Sequence, residues 1–339
     1  MDTLLLSLKD DFDAAVDKAA RFIRAGEVVG MPTETVYGLA ANALDPDAVK
    51  KIFEAKGRPS DNPLIVHVTD ESGLFELCRS VPTAALKLAE RFWPGPLTII
   101  LKKKDAVPSV TSGGLDTVAV RCPSHPGARA LIKKSGVPLA APSANLSGKP
   151  SPTTFSRVVE DMDGRVACIL DGGDCDVGVE STVVTLASFP PRLLRPGAVT
   201  LSELSDVLGE VVLDRAVLNP LEEGAAAASP GMKYRHYSPA CRLTVVRGDL
   251  GRFAQTVAPV LAEGDGMMLF DGEDPPFPCP VFYLGPENDP AEQGKRLFSV
   301  LRELDDAGLS RAFCRAPSEQ GFGLAVCNRL YRAAGFEFM

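Results

Sequence analysis

Residues 31–67 read MPTETVYGLAANALDPDAVKKIFEAKGRPSDNPLIVH, and this stretch decides the fold class. It is entered from a short apolar run, Val28-Val29-Gly30, which passes into a polar turn. A helix is predicted over 46–55, stopping at Lys56-Gly57-Arg58-Pro59, and a second apolar run, Leu64-Ile65-Val66, carries His67. Strand, helix and strand in succession imply an α/β sheet. Lys56 and Arg58 stand one residue apart at what reads as an exposed helix end. Cations are favoured at a helix C-terminus in any protein, simply solvated. The same pair can also grip an anion, arginine as a planar fork and lysine as a point charge.

Outward from this stretch the alternation continues. Residues 9–25 are predicted as an amphipathic helix, with Phe12, Ala15, Val16, Ala19, Phe22 and Ile23 at helical spacing, and Gly26 ends it. Strands are predicted at 64–68, 97–101, 117–121, 139–141, 168–171, 181–186 and 192–195. Helices are predicted near 83–92, 126–135, 153–161 and 201–208. Residues 215–239 change character: Glu222-Glu223-Gly224, a run of alanines and Ser229-Pro230-Gly231 read as a linker. A second α/β pattern follows, with strands at 243–246, 266–270, 281–284 and 311–315 and helices at 250–263, 290–307 and 322–334. The expected domains are therefore 1–210 and 240–339, joined by 211–239.

The chain has 339 residues, 45% of them hydrophobic and 24% charged, which suits a globular protein of two domains. No apolar run approaches the ~20 residues of a membrane helix. Leu4-Leu5-Leu6 lies between Asp2 and Lys9-Asp10-Asp11, unlike a signal peptide, so a cytoplasmic location is expected. The eight cysteines include no CxxC pair and are expected as reduced thiols. With three histidines (His67, His125, His236) no histidine-rich metal site is expected. The net charge of −8 argues against tight binding to a nucleic-acid backbone, and Lys102-Lys103-Lys104 reads as a solvated strand end.

Four further segments carry candidate chemistry, each with a plain structural alternative. Ser143-Ala144-Asn145 follows a buried strand that ends at Pro142, where α/β sheets bind ligands; serine and asparagine also simply favour turns. Thr33-Glu34-Thr35-Val36-Tyr37-Gly38 offers hydroxyls, a carboxylate and a phenol, or could cap a helix. Arg121 ends the strand Thr117–Arg121 and has the fork a substrate carboxylate needs, or could pair with a surface acid. His125, between serine and proline, reads as a turn residue. The glycine-rich loop from Asp171 to Thr182 is not a Walker loop, since no GxxxxGK[ST] occurs. The strip Lys233-Tyr234-Arg235-His236-Tyr237 could close over a nucleotide by stacking and charge, or serve as a polar linker.

Taken together, Lys56-x-Arg58 and Ser143-x-Asn145, with P-T-E-T-x-Y-G-L, D-G-G…G-x-x-S-T, R-x-G and the P-G-M-x-x-x-H-Y-x-P linker, resemble the YrdC-like family in its long, two-domain threonylcarbamoyl-AMP synthase form. The resemblance runs to Gly321-Phe-Gly-Leu-Ala-Val-Cys-Asn-Arg-Leu, though the C-terminal domain has no legible chemistry. It implies a YrdC-like twisted open mixed sheet with helices and a smaller Rossmann-like α/β C-terminal domain. It implies condensation of L-threonine, bicarbonate (or CO2) and ATP to threonylcarbamoyl-AMP and pyrophosphate, for N6-threonylcarbamoyladenosine at position 37 of tRNAs reading ANN codons. By resemblance, Lys56 and Arg58 are catalytic. With Asn62, Thr117, Ser143, Asn145, Ser151, Arg195 and His236 they bind ATP, while Thr35, His67, Arg121, Ala141 and Ser181 bind threonine. Magnesium is expected to arrive with ATP. A downstream threonylcarbamoyl transferase acting on tRNA is implied as a partner, and a weak RNA contact is compatible. Two other classes stay open: an RNA-binding module, and a carbamoyl-adenylate enzyme like the hydrogenase-maturation proteins, which carry CxxC zinc motifs this chain lacks.

Overall fold

The computed structural model describes residues 2–60, 62–220 and 237–339. In chain order, the strands of the larger sheet are Leu4–Ser7 (β1), Val29–Met31 (β2), Gly38–Asn42 (β3), Ile65–His67 (β4), Leu97–Lys102 (β5), Thr117–Arg121 (β6), Leu139–Ala140 (β7), Cys168–Asp171 (β8), Thr182–Thr185 (β9), Arg192–Arg195 (β10) and Val212–Leu213 (β11). They lie in the order β1-β8-β2-β3-β7-β4-β6-β5-β9-β10-β11, with parallel and antiparallel neighbours mixed. A smaller, wholly parallel sheet contains Arg242–Val246 (β12), Asp265–Leu269 (β13), Val281–Tyr283 (β14) and Arg311–Arg315 (β15), in the order β12-β15-β13-β14. The expected α/β class, a large mixed sheet with a smaller α/β unit, is what forms.

Local chemistry sets the boundaries. Helix Pro46–Lys56 begins at Asp45, whose carboxylate accepts from the amides of Asp47 and Ala48, with Pro46 in the first turn. It ends at Gly57, whose φ of +65° is the left-handed conformation glycine adopts without a Cβ clash. His125 caps helix Pro126–Ser135, its Nδ1 accepting from the Gly127 amide at 3.1 Å. Three strands escaped the sequence reading, the two-residue β11 among them. β1 is an edge strand of four residues, and β3 (Gly-Leu-Ala-Ala-Asn) lacks the β-branched residues that mark strands. The hexapeptide 33–38 therefore caps no helix; it links the antiparallel pair β2 and β3.

Strand alternation gives the central sheet two unlike faces. Val66, Val118, Val120, Ile99, Val184 and Leu193 point into the main core with Ile52, Phe53 and Leu88 from the covering helices. Ile65, Ala119, Ile100, Val183 and Leu194 form a small apolar patch on the opposite face. By the same alternation His67, Thr117 and Arg121 belong to that second face, and it carries the site.

Candidate active site

The pocket opens over the second face. It is lined by Thr33, Thr35, Val36, Tyr37, Gly38, Arg58, Leu64, Ile65, His67, Arg121, Ala141, Pro142, Ser143, Glu180, Arg195 and Tyr237. The sheet thus brings together seven of the residues expected to bind ATP or threonine: Thr35, Arg58, His67, Arg121, Ala141, Ser143 and Arg195. Three guanidinium groups against the single Glu180 carboxylate make the lining net cationic, suited to an anionic substrate.

Arg121 ends β6 beside His67, its parallel neighbour in register on β4. Its guanidinium donates to Thr35 Oγ1 at 2.9 Å and to Glu34 Oε1 at 2.6 Å, in an ion pair only 4% and 7% exposed. Burial pushes the Glu34 carboxyl up, but the charge and hydrogen bond of Arg121 outweigh it and leave the pKa below its ordinary value. Thr33 Oγ1 shares a hydrogen bond with Thr35 Oγ1 at 2.9 Å and accepts from the Val36 amide, which fixes the loop. His67 is pressed down to a pKa of about 3, first by burial and then by the neighbouring Arg121 charge. Its imidazole is therefore neutral, with Nδ1 buried and unpartnered among the described residues.

Lys56 requires a correction. It is 2% exposed, not a solvated helix end, because the helix terminus is packed beneath the loop that follows β7. Its ammonium donates to the carbonyl oxygens of Ser143 and Asn145, the latter at 2.8 Å, and to Asn145 Oδ1 at 3.3 Å. Asn145 in turn donates to the carbonyls of Leu146 and Lys149. The K-x-R and S-x-N elements therefore meet, but Lys56 works from beneath, holding the Ser143 loop, while Arg58 lines the pocket and lies over the Phe53 ring. Burial first, then the Arg58 charge, pushes the Lys56 pKa well below its ordinary value.

Arg195 reaches the pocket through an irregularity. Along β10 the pairing runs Leu193 with Val184 and then Arg195 with Val183, skipping Leu194. Strict alternation would send Arg195 into the main core with Leu193; the bulge turns it to the Val183 side. There it donates to the Ser181 carbonyl at 3.0 Å and to Ser181 Oγ at 3.1 Å. Ser181 also shares a hydrogen bond with Thr98 at 2.8 Å, so it sits behind the lining.

The other expected residues lie apart from the lining. Asn62 is buried against Gly113 with its Oδ1 unpartnered among the described residues. Ser151 donates to Glu180 Oε1 at 2.6 Å. Thr117 shares the second face but opens at its far end onto a depression with Asp116, Thr185 and Arg192. His236 lies outside the described residues.

Sequence reasoning missed Glu180 and Arg329, while Tyr237, named from sequence in the linker strip, does line the pocket. Glu180 lines the pocket with its pKa held to about 2: burial raises it, and the charges of Arg329 and Arg195 overcome that. Tyr237 belongs to the linker, buried at φ +66° with its ring 5.1 Å from Phe298. Arg329 comes from helix Gly323–Ala333 of the C-terminal part and is fully buried on the far side of Glu180. The available signal was Asn328, Arg329 and Arg332 grouped on one side of an otherwise largely apolar helix, GLAVCNRLYRA. Among the described residues no cluster of three His, Cys, Asp or Glu side chains could hold a metal, and no helix is long and apolar enough to cross a membrane.

Residues 21–197 match the Sua5/YciO/YrdC family model, described as "Telomere recombination", and 199–335 match that of the threonylcarbamoyl-AMP synthase C-terminal domain. The chain is 46% identical over 348 residues to the threonylcarbamoyl-AMP synthase of Pyrococcus abyssi, with 99% of each covered. It is 44% identical over 327 residues to that of Bacillus subtilis, covering 95% of this chain and 94% of the relative. The structure of P. abyssi Sua5 complexed with L-threonine superposes with a TM-score of 0.92 at 45% identity, covering 100% of this chain and 99% of that one.

Proposed function

Because the chain belongs to the two-domain threonylcarbamoyl-AMP synthase family, we propose that its pocket condenses L-threonine, a one-carbon unit from bicarbonate or CO2, and ATP. The observation that carries the assignment of roles is the meeting of Arg58, Arg121 and Arg195 with neutral His67 and Thr35 around one pocket. Arg121, already aimed by Glu34 and Thr35, suits the threonine carboxylate, with His67 and Ala141 beside the substrate. Ser181 supports this side from behind. The neutral threonine amine bonds to the carbon of CO2 as one C–O π bond opens and the nitrogen gives up a further proton, leaving the carbamate; starting from bicarbonate, the same step expels water. A carbamate oxygen then attacks the α-phosphorus as the bond to pyrophosphate breaks.

Arg58 and Arg195 neutralise phosphate charge, most strongly as it builds up in the transition state. Lys56 and Asn145 hold Ser143 in place, so the protein contributes positioning and charge with no covalent step. Magnesium would come with ATP, its ligands mainly triphosphate oxygens. The product would pass to a threonylcarbamoyl transferase that modifies adenosine 37 of tRNAs reading ANN codons.

Calorimetric titration with L-threonine in the presence of a non-hydrolysable ATP analogue tests the pocket assignment. Saturable binding of L-threonine and none of D-threonine is expected. Equal binding of both, or of neither, would remove it.

A further inference from the structure

The second domain reaches into the first through one fully buried arginine. Arg329 Nε donates to Glu180 Oε2 at 2.9 Å and Nη2 to the Glu180 carbonyl at 3.0 Å, while Nη1 donates to the Pro196 carbonyl at 2.7 Å. Asn328 Oδ1 takes a further Nη1 bond at 3.0 Å. Glu180 and Pro196 directly flank Ser181 and Arg195, the pair joined by the Arg195 bonds to Ser181. The two segments cross so closely that a Cβ on Gly197 would fall on the Thr182 amide nitrogen. One rigid guanidinium from the C-terminal helix therefore clasps both chain segments of the pocket wall and supplies the counter-charge to its one carboxylate.

We propose that Arg329 is a positioning residue for catalysis, and that the second domain completes the substrate pocket of the first through it. The proposal rests on the function assigned above, since it is the Ser181–Arg195 wall that is being positioned. Without Arg329 the carboxylate of Glu180 keeps Ser151 and the nearby charge of Arg195 but loses its hydrogen-bonded cation, and the Ser181 and Arg195 segments lose their shared donor. Lysine preserves the charge but not the fork, so it can satisfy only part of the clasp.

The test uses the full chain with Arg329→Met, Arg329→Lys, Glu180→Gln and the double variant Glu180→Gln/Arg329→Met. Arg157→Ala, which breaks the ion pair to Asp306 across the same two domains but away from the pocket, is the control. The readout is threonine-dependent pyrophosphate release, split into kcat and KM, with thermal unfolding alongside. Arg329→Met is expected to raise the KM for threonine at least tenfold, Arg329→Lys less, and Arg157→Ala not at all. The effect of Arg329→Met should shrink in the Glu180→Gln background. An enzyme that is merely destabilised loses active fraction at unchanged KM, and that pattern would overturn the proposal. An equal effect of Arg329→Met with and without Glu180→Gln would also overturn it. Should Arg329→Met not fold, the KM of Arg329→Lys decides in the same way. Should the wild type release no pyrophosphate with any amino acid, the assigned function fails by itself. Threonine binding by calorimetry then reads the clasp, with weakening in Arg329→Lys supporting it and unchanged affinity refuting it.

Discussion

The ammonium of Lys56 is hydrogen-bonded to both the main-chain and side-chain oxygens of Asn145, 89 residues away in sequence. A cation at a helix end is thereby converted from a surface charge into the strut of a substrate loop. Lys56→Met would leave buried acceptors unpartnered, at about 1–3 kcal/mol each for those that cannot relax. It should lower both thermal stability and activity. A variant with wild-type melting temperature and no activity would instead return Lys56 to direct contact with ATP.

Arg121 divides its donors between Thr35 and Glu34, which orients the guanidinium plane before any substrate arrives. Lysine there cannot make a forked contact. Charged hydrogen bonds contribute ~1.5–3 kcal/mol, so Arg121→Lys should raise the threonine KM by about 10- to 100-fold while changing the ATP KM little. Steady-state kinetics with each substrate varied in turn checks this; a larger effect on ATP would relocate the carboxylate site.

Acid should destabilise the protein through two pocket groups. His67 is depressed to about 3 against an ordinary value of 6.5, so between those values the unfolded chain binds the proton and the folded chain does not. Stability is therefore lost as pH falls from 6.5 towards 3, by ~1.4 kcal/mol per pH unit for one proton. Glu180, held to about 2 against 4.5, adds a loss in the same direction once pH falls below 4.5. Urea unfolding at pH 7, 6 and 5 should show a shallower slope in His67→Gln than in the wild type. Parallel slopes would mean His67 is not buried neutral.

Helix Pro46–Lys56 was legible because its start and stop signals are local, Asp45-Pro46 before it and Gly57 after it. Strand β6 with Arg121 at its end was legible for the same reason. The rest depended on partners distant in sequence. That Lys56 is buried follows from a loop more than eighty residues further on, and that Arg195 faces the pocket follows from a bulge no periodicity encodes. Glu180 and Arg329 are meaningful only as a pair, 149 residues apart. The C-terminal part looked empty of chemistry because its contribution is a buried arginine in a helix whose every residue is buried.

Tyr237 packs on Phe298 of the C-terminal part while lining the pocket of the N-terminal part, so it couples the linker to both. Tyr237→Ala should cost ~3–5 kcal/mol, as truncation of a buried aromatic does, and weaken ATP use, whereas Tyr237→Phe should preserve the packing. Thermal unfolding and the ATP KM of both variants decide it; indistinguishable variants would show that the ring does not pack as described.

The most direct test of the whole account is pyrophosphate release by the full chain with ATP, magnesium and bicarbonate, supplied with individual amino acids, and mass analysis of the products. Release that appears only with L-threonine, together with the mass of threonylcarbamoyl-AMP, is the predicted result. Release without an amino acid, or with carbamoyl phosphate in place of threonine, would contradict it.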